Sequence, residues 1–295
     1  MEITAAMVKE LRERTGAGMM ECKKALKEAE GDMEGAIEAM RKSGLAKAEK
    51  KSGRVAAEGV IIARVSDDAR TGVLVEINSE TDFVANNEEF QAFGARVSEL
   101  VLNEAPADVA ALQGLALGGG DGRDVATATK ELVAKIGENI EVRRFARRES
   151  TDGRIATYLH GKRIGVLVDY TGSDEQVGRD IAMHVAASQP IALRAEDVPQ
   201  EQLDRERGIL EDQARESGKP EEIVKKMVDG RMRKYLSEIT LLGQPFVKDP
   251  DQTVEQMLES RGAGVTYFER FEVGEGKEKK EENFADEVMA QVKGA

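Results

Sequence analysis

The stretch Gly72-Val73-Leu74-Val75-Glu76 returns later in the chain as Gly165-Val166-Leu167-Val168-Asp169. The two stretches differ only in the length of the final acidic side chain. Short runs of branched apolar residues between turn-forming residues predict β-strands. A similar run precedes each of them, at 60–65 and at 154–159. The sequence therefore predicts two hairpins.

The chain after each hairpin also repeats the order of elements. Apolar residues at helical spacing come next, namely Phe90, Phe93, Val97, Leu100 and Val101 in the first copy and Val177, Ile181 and Val185 in the second. Third strands are predicted at 140–145 and 265–271, and the ending Arg270-Phe271 is matched with Arg144-Phe145. We predict an α+β fold with a duplicated strand–strand–helix–strand core. Chance similarity of Val-rich strands is the alternative.

Changes of pattern divide the chain into five parts. The first predicts three short helices, capped at Thr4 and Asp32, before a basic linker from Lys47 to Arg54. The second copy of the core is interrupted by charged helices with few apolar positions, which predicts a protruding antiparallel helix pair. The predicted parts are a helical module with its linker (1–54), core subdomain N (55–150), core subdomain C (151–198 and 264–275), a helical insertion (199–263) and a C-terminal module with a helix at 284–289 (276–295).

The composition excludes several classes of protein. With 43 basic and 56 acidic side chains the net charge is −13, which disfavours nucleic-acid binding through phosphate neutralisation. One cysteine and two histidines exclude a disulfide framework and a metal centre built from those residues. No apolar segment approaches the length of a membrane span. We therefore expect a soluble cytoplasmic protein without cofactor or metal, and without direct contact to nucleic acid or membrane.

Two common motifs of enzymes and nucleotide-binding proteins are missing from the sequence. It has neither a phosphate-binding loop of the Gly-x-x-x-x-Gly-Lys type nor a Gly-x-Ser-x-Gly elbow. The Gly-rich stretch 118–122 follows no predicted strand, so a flexible loop is expected there. Cys22 lies on a helical stripe with Met19 and Leu26, which favours a buried structural thiol over a nucleophile. No carboxylate is forced into an apolar pocket by its sequence neighbours, and we expect a protein that is not an enzyme.

The stretch 79–87 (SETDFVANN) lies where a turn is expected, between the second strand and the Phe90 helix. In one interpretation Asp82 caps that helix and Phe83 packs beneath it. In the other, Phe83 projects as an apolar anchor with Asp82 as its charged neighbour, a pairing typical of binding hot spots. From the residues alone the first is favoured by about two to one, since such caps are common.

Three further positions have structural interpretations by default. His184 borders the Val177/Ile181/Val185 stripe, as a hydrogen-bonded histidine at a core edge does. Lys23 and Lys24 face away from the Met19/Leu26 stripe and are expected in solvent. Gly137 is expected to end a helix before the strand at 140–145.

Taken together, the motifs closely resemble those of the bacterial elongation factor Ts family, the guanine-nucleotide exchange factors of elongation factor Tu. The matching stretches lie in order along nearly the whole chain: 8–20 (VKELRERTGAGMM), 81–85 (TDFVA), 135–139 (KIGEN), 184–188 (HVAAS), 243–247 (GQPFV) and 270–274 (RFEVG). The resemblance implies an N-terminal domain similar to ubiquitin-associated domains, a two-subdomain core, a coiled-coil insertion and a C-terminal module.

The resemblance also implies a binding site and reverses the preference at Asp82. In the family, the Asp-Phe pair of the Thr-Asp-Phe-Val motif enters the nucleotide-binding domain of elongation factor Tu near its magnesium site. Matched residue by residue, the site that displaces Mg²⁺ is Thr81, Asp82, Phe83 and Val84. Other positions that match partner-binding residues of the family are Lys23, Lys51, Ile136, Gly137, Glu138, Asn139, His184 and Val247.

Some features depart from the family or stay open. Lys248 follows Val247 where a more apolar residue is expected, and the segment 103–130 is longer than in some relatives. The expected partner is elongation factor Tu in its GDP-bound and nucleotide-free forms, with dimerisation through the helical insertion as a possibility. The alternatives are an enzyme that uses carboxylates of the duplicated core and a passive adaptor that leaves nucleotide release unchanged.

Overall fold

A computed structural model describes residues 3–118 and 122–277, and the helix predicted at 284–289 lies outside them. The helices are α1 (Ala5–Thr15), α2 (Met19–Glu28), α3 (Met33–Lys51), α4 (Asp82–Ala85), α5 (Glu88–Glu104), α6 (Val109–Gln113), α7 (Val125–Ile136), α8 (Glu175–Ser188), α9 (Gln200–Arg215), α10 (Glu221–Ile239) and α11 (Val254–Ser260). The strands are β1 (Glu58–Val65), β2 (Thr71–Ser79), β3 (Ile140–Glu149), β4 (Arg154–His160), β5 (Ile164–Thr171), β6 (Pro245–Phe246), β7 (Asp249–Thr253) and β8 (Gly264–Glu272). The fold is α+β with small antiparallel sheets.

The first three helices form a small bundle. The Thr4 hydroxyl accepts from the Met7 N–H, and the Asp32 carboxylate accepts from the Glu34 N–H, so both predicted caps are present. Helix α1 ends at Gly16, which takes the left-handed conformation with φ 68°. The bundle core is aliphatic and contains the fully buried Cys22, as predicted.

The linker predicted from Lys47 to Arg54 is wrong for most of its length. Helix α3 continues to Lys51, and only 52–54 leave it. Ala48 is buried in the core beneath the first sheet, and Gly44 lies against Ala134 of α7. Lysine, alanine and glutamate are good helix formers, so a basic run with one small apolar residue per turn extends the helix and packs it. A run of charged residues is therefore not by itself the sign of a linker.

The two predicted hairpins become two sheets with one topology. The strand orders are β1-β2-β3 and β4-β5-β8, and every pair is antiparallel. A β-bulge follows Glu76 in the first sheet, between Glu76 and Ile77, and another lies between Asp169 and Tyr170 in the second. The repeat thus extends to the irregularity next to its acidic residue, which favours duplication over chance similarity.

The match of Arg270-Phe271 with Arg144-Phe145 is wrong in register. Val75 lies opposite Phe145, and the equivalent Val168 lies opposite Phe268. The equivalents of Arg144 and Phe145 are therefore Tyr267 and Phe268. A shared dipeptide near the end of a strand does not determine its register. The bulge and the pairing of the whole strand determine it.

The sheets pack against each other, and helices cover their outer faces. The layer between the sheets contains Ile61, Leu74, Ile155, Leu167, Phe271 and Val273. A Cβ atom on Gly72 would lie 2.4 Å from Ile155 Cγ2, and one on Gly165 would lie 2.4 Å from Ile61 Cγ2. Close approach of the sheets therefore explains why both copies of the repeated stretch begin with glycine.

The acidic residues that end the repeated stretches, Glu76 and Asp169, are both buried and ion-paired. Glu76 accepts from Arg144 Nε at 2.6 Å, from Arg143 at 3.0 Å and from the Gly274 N–H at 2.9 Å. Asp169 accepts from Arg148 Nε at 2.9 Å and from the Ser150 hydroxyl at 2.6 Å. The donors come from other parts of the chain, which explains why sequence neighbours did not indicate burial.

The inserted helices α9 and α10 form a pair with a small core of its own, which consists of Leu210, Ala214, Val224, Val228 and Met232. The chain then returns to the second subdomain, whereas the predicted insertion extended to 263. Leu241, Phe246 of the ribbon β6–β7 and Val254, Met257 and Leu258 of α11 join the second core, which α8 forms with the second sheet. Elements this short leave no clear period in the sequence. Within 3–118 and 122–277, no helix is long and apolar enough to cross a membrane.

Candidate functional site

The turn after β2 presents an exposed aromatic side chain. Phe83 lies in the one-turn helix α4 and is 83% exposed, and its neighbour Asp82 is exposed too. Val84 and Ala85 are buried in the first core and anchor the turn. The next helix is capped by Asn87, whose side chain accepts from the N–H groups of Glu89 and Phe90. The interpretation in which Asp82 caps that helix and Phe83 packs beneath it is therefore wrong.

Glu138, which lies just before the neighbouring strand β3, fixes the start of this turn. Its two carboxylate oxygens accept from the Thr81 N–H at 2.9 Å and from the Thr81 hydroxyl at 2.7 Å. Thr81 and Glu138 are 57 residues apart in the chain. Two hydrogen bonds to an ionised acceptor hold a backbone segment firmly. Glu138 thus holds the backbone at the start of the turn, and buried Val84 and Ala85 hold its end.

Asn139 joins the same turn to the end of α3. Its backbone N–H donates to Glu80 Oε1 at 2.6 Å, and its side-chain amide donates to the carbonyls of Arg54 at 2.7 Å and Ser52 at 3.4 Å. Lys51 adds a hydrogen bond from its ammonium group to the Gly137 carbonyl. Of the predicted partner-binding residues, the structure therefore brings Lys51, Gly137 and Asn139 together, through contacts within the chain.

The helix end predicted at Gly137 is confirmed. Gly137 has φ 91°, and its N–H donates to the Val133 carbonyl, which closes α7 before β3 begins. Ile136, the last residue of that helix, is partly buried against the first core.

A second group of predicted residues surrounds His184, which is fully buried in α8. The Val247 N–H donates to His184 Nδ1 at 3.1 Å, so the hydrogen of the neutral ring is on Nε2, which faces Gln244 Oε1 at 2.9 Å. Burial lowers the pKa of His184 against the opposing effect of the Gln244 hydrogen bond. The structural interpretation of His184 is confirmed, and its part in partner binding stays a prediction. Val247 is the exposed residue of this second group, with 42% of its surface accessible to solvent.

The buried imidazole predicts a pH dependence of stability. A histidine in the unfolded chain has a pKa of about 6.5. Because the pKa of His184 is lowered in the folded chain, the folded chain binds fewer protons than the unfolded chain just below that pH. We expect the free energy of unfolding to decrease as pH falls through about 6.5 and the decrease to be smaller in His184→Gln. Urea unfolding at pH 7.5 and 5.5 measures both. An identical pH dependence in the variant would contradict this assignment.

The remaining predicted residue, Lys23, is exposed on α2, apart from both groups. Three residues that were not predicted, Glu80, Asn87 and Gln244, hold the turns at Phe83 and Val247 through their side chains. All three lie within the stretches 79–87 and 243–247. This position in the chain was the only signal that could have identified them. Within the described ranges, no group of three or more His, Cys, Asp or Glu side chains could hold a metal ion.

Comparisons with known proteins show the family of the chain. A family model described as "Elongation factor TS" matches residues 80–275, which include both turns. The chain is similar to proteins called elongation factor Ts from Alkalilimnicola ehrlichii, at 62% identity over 295 residues and 100% of both chains, and from Halorhodospira halophila, at 61% over 293 residues and 99% of both. It is also 60% identical over 296 residues to the one from Thioalkalivibrio sulfidiphilus, across 100% of both chains. The chain belongs to the elongation factor Ts family of translation elongation factors.

Proposed function

We propose that this protein is a guanine-nucleotide exchange factor for elongation factor Tu and that Phe83 is the side chain it inserts into its partner. The observation that carries the proposal is an almost fully exposed phenylalanine on a turn whose backbone is fixed by Glu138. An exposed aromatic ring on a mobile loop would lose conformational entropy on binding. A ring on a fixed turn loses much less, which favours an anchor role.

Exchange follows from linkage between the two binding events. A nucleotide leaves slowly when its phosphates and Mg²⁺ are held by preorganised groups. If the exchange factor binds the distorted, nucleotide-free state more tightly, it must weaken nucleotide affinity by the same factor. About 1.4 kcal/mol of binding energy that is realised only in the distorted state corresponds to tenfold in nucleotide affinity. Asp82 and Phe83 supply this energy, and Thr81 and Val84 hold them in place.

The other family positions then have two kinds of role. Lys23 and Val247 are exposed and contact the partner directly. Lys51, Gly137, Glu138, Asn139 and His184 are engaged within the chain and act by holding the contact surfaces. Ile136 supports the same surface from the end of α7. The three-helix bundle at the N-terminus provides a domain similar to ubiquitin-associated domains, and the α9–α10 pair provides the coiled-coil insertion and a route to dimerisation.

The test is release of a fluorescent GDP analogue from elongation factor Tu in excess GDP, with increasing amounts of this protein. Acceleration by substoichiometric amounts is expected, since an exchange factor turns over. Binding without acceleration would favour the adaptor alternative, and the absence of binding would refute the assignment. Turnover of a small molecule by this protein alone would favour an enzyme.

A further inference from the structure

Asp180 is a buried carboxylate that the exchange mechanism does not use. Asp180 lies on α8, one turn before His184, and only 3% of its surface is exposed. Its Oδ1 accepts from Lys248 Nζ at 2.7 Å and from Gln176 Nε2 at 2.6 Å, and its Oδ2 lies 3.8 Å from Arg261. A buried carboxylate is retained at a cost in desolvation unless such partners surround it.

Asp180 and His184 hold two consecutive residues of one turn. They are four residues apart on α8 and therefore share a face. His184 accepts from the backbone N–H of Val247, and Asp180 binds the side chain of Lys248. These two residues form the turn between β6 and β7, which follows the buried Phe246. Val247 is left exposed on a turn that is fixed at both of its residues.

This arrangement gives Lys248 a use that its position in the sequence did not suggest. A more apolar residue was expected after Val247. The ammonium group is instead directed back to α8, where its partner carboxylate is almost fully buried. Ion pairs of this kind hold a defined geometry, because the charge inside the protein has few other partners.

We infer that Asp180 is a positioning residue that, with Lys248, sets the orientation of Val247 and through it the affinity for the partner protein. The inference rests on the proposed function in so far as Val247 contacts elongation factor Tu. Asp180 itself is too buried to touch a partner. Substitution of Asp180 therefore changes affinity only through the residues that it holds, and Lys248 is the one that lies in the turn.

A double-mutant cycle tests this inference. Affinity for elongation factor Tu is measured for the wild type, Asp180→Asn, Val247→Ala and the double variant. We expect each single change to weaken binding about fivefold to tenfold and the double variant to be scarcely weaker than either, as coupled residues behave. If the loss of affinity in the double variant equals the product of the two single losses, Asp180 acts independently of Val247, and the inference is overturned.

A second measurement does not need the partner. The Val247 amide, which His184 protects, should exchange its hydrogen faster in Asp180→Asn, while amides in the middle of α8 keep their protection. Unchanged exchange at Val247 would also overturn the inference. If Asp180→Asn does not fold, Lys248→Met breaks the same pair from its exposed side. If the wild type does not bind elongation factor Tu, the proposed function fails, and the amide exchange still decides whether Asp180 holds the turn.

Discussion

Phe83→Ala should reduce the rate of GDP release from elongation factor Tu by about 30-fold or more, at protein concentrations below saturation, without affecting folding. Loss of an aromatic anchor at a binding hot spot costs about 2 kcal/mol or more, which is about 30-fold. The ring is 83% exposed, so its removal creates no cavity in the first core. Circular dichroism and thermal unfolding should therefore match the wild type. The measurement is the exchange assay with a fluorescent GDP analogue.

A matched control separates a specific anchor from general loss of exposed apolar surface. Ile191 is another exposed hydrophobic side chain, at 53%, and none of the predicted contacts includes it. Ile191→Ala should leave the rate of GDP release within about twofold of the wild type, as most surface substitutions leave binding energies nearly unchanged. Exchange by Phe83→Ala at the wild-type rate with the partner saturated would refute the proposed insertion of Phe83. Equal losses in both variants would show that Phe83 has no special role.

Glu76→Gln should lower the free energy of unfolding by about 3 kcal/mol. Glutamine has nearly the same shape, but its amide group would direct N–H donors at guanidinium donors of Arg143 or Arg144. Removing one member of a buried ion pair costs about 3–5 kcal/mol. We expect a cost at the lower end of this range because the Arg143 and Arg144 side chains are 19% and 30% exposed. Water can therefore solvate them in part when they lose the carboxylate. Urea unfolding followed by circular dichroism measures the change.

The acid dependence of the same variant gives an independent check. Burial opposes ionisation of Glu76, but the Gly274 N–H and the two arginines outweigh it and lower the pKa of Glu76. A carboxylate whose pKa is lowered by folding contributes stability at pH values above its pKa in the unfolded chain, which is about 4.3. The contribution is lost as pH falls through its pKa in the folded chain. Glu76→Gln should therefore lose less stability than the wild type below about pH 4.3.

The control for Glu76 is an acidic residue of the neighbouring strand. Glu149 in β3 pairs with Arg147 at 3.4 Å, and its side chain is 67% exposed. Glu149→Ala should change the free energy of unfolding by less than about 1 kcal/mol, because exposed ion pairs contribute little. Similar urea midpoints for Glu76→Gln and the wild type would show that the charge between the sheets is dispensable.

Sequence patterns predicted the elements of the fold better than their ends. The hairpins, the helices at Phe90 and Val177 and the cap at Gly137 follow from apolar period and local hydrogen bonding, which neighbouring residues decide. The continuation of α3 through Lys51 and the short elements after 240 were missed. In both cases packing against a distant element stabilises a segment whose own pattern is weak.

At the candidate site, the sequence by itself determined where the exposed turn lies, through the motif at 81–84 and the strand before it. Only the tertiary structure decided that Phe83 faces solvent, that Glu138 holds Thr81 from 57 residues away and that His184 is buried beneath Val247. The physical reason is the range of the interactions. Period and capping depend on residues within one or two turns, whereas burial and the partner of a carboxylate or imidazole depend on which surfaces the folded elements bring together.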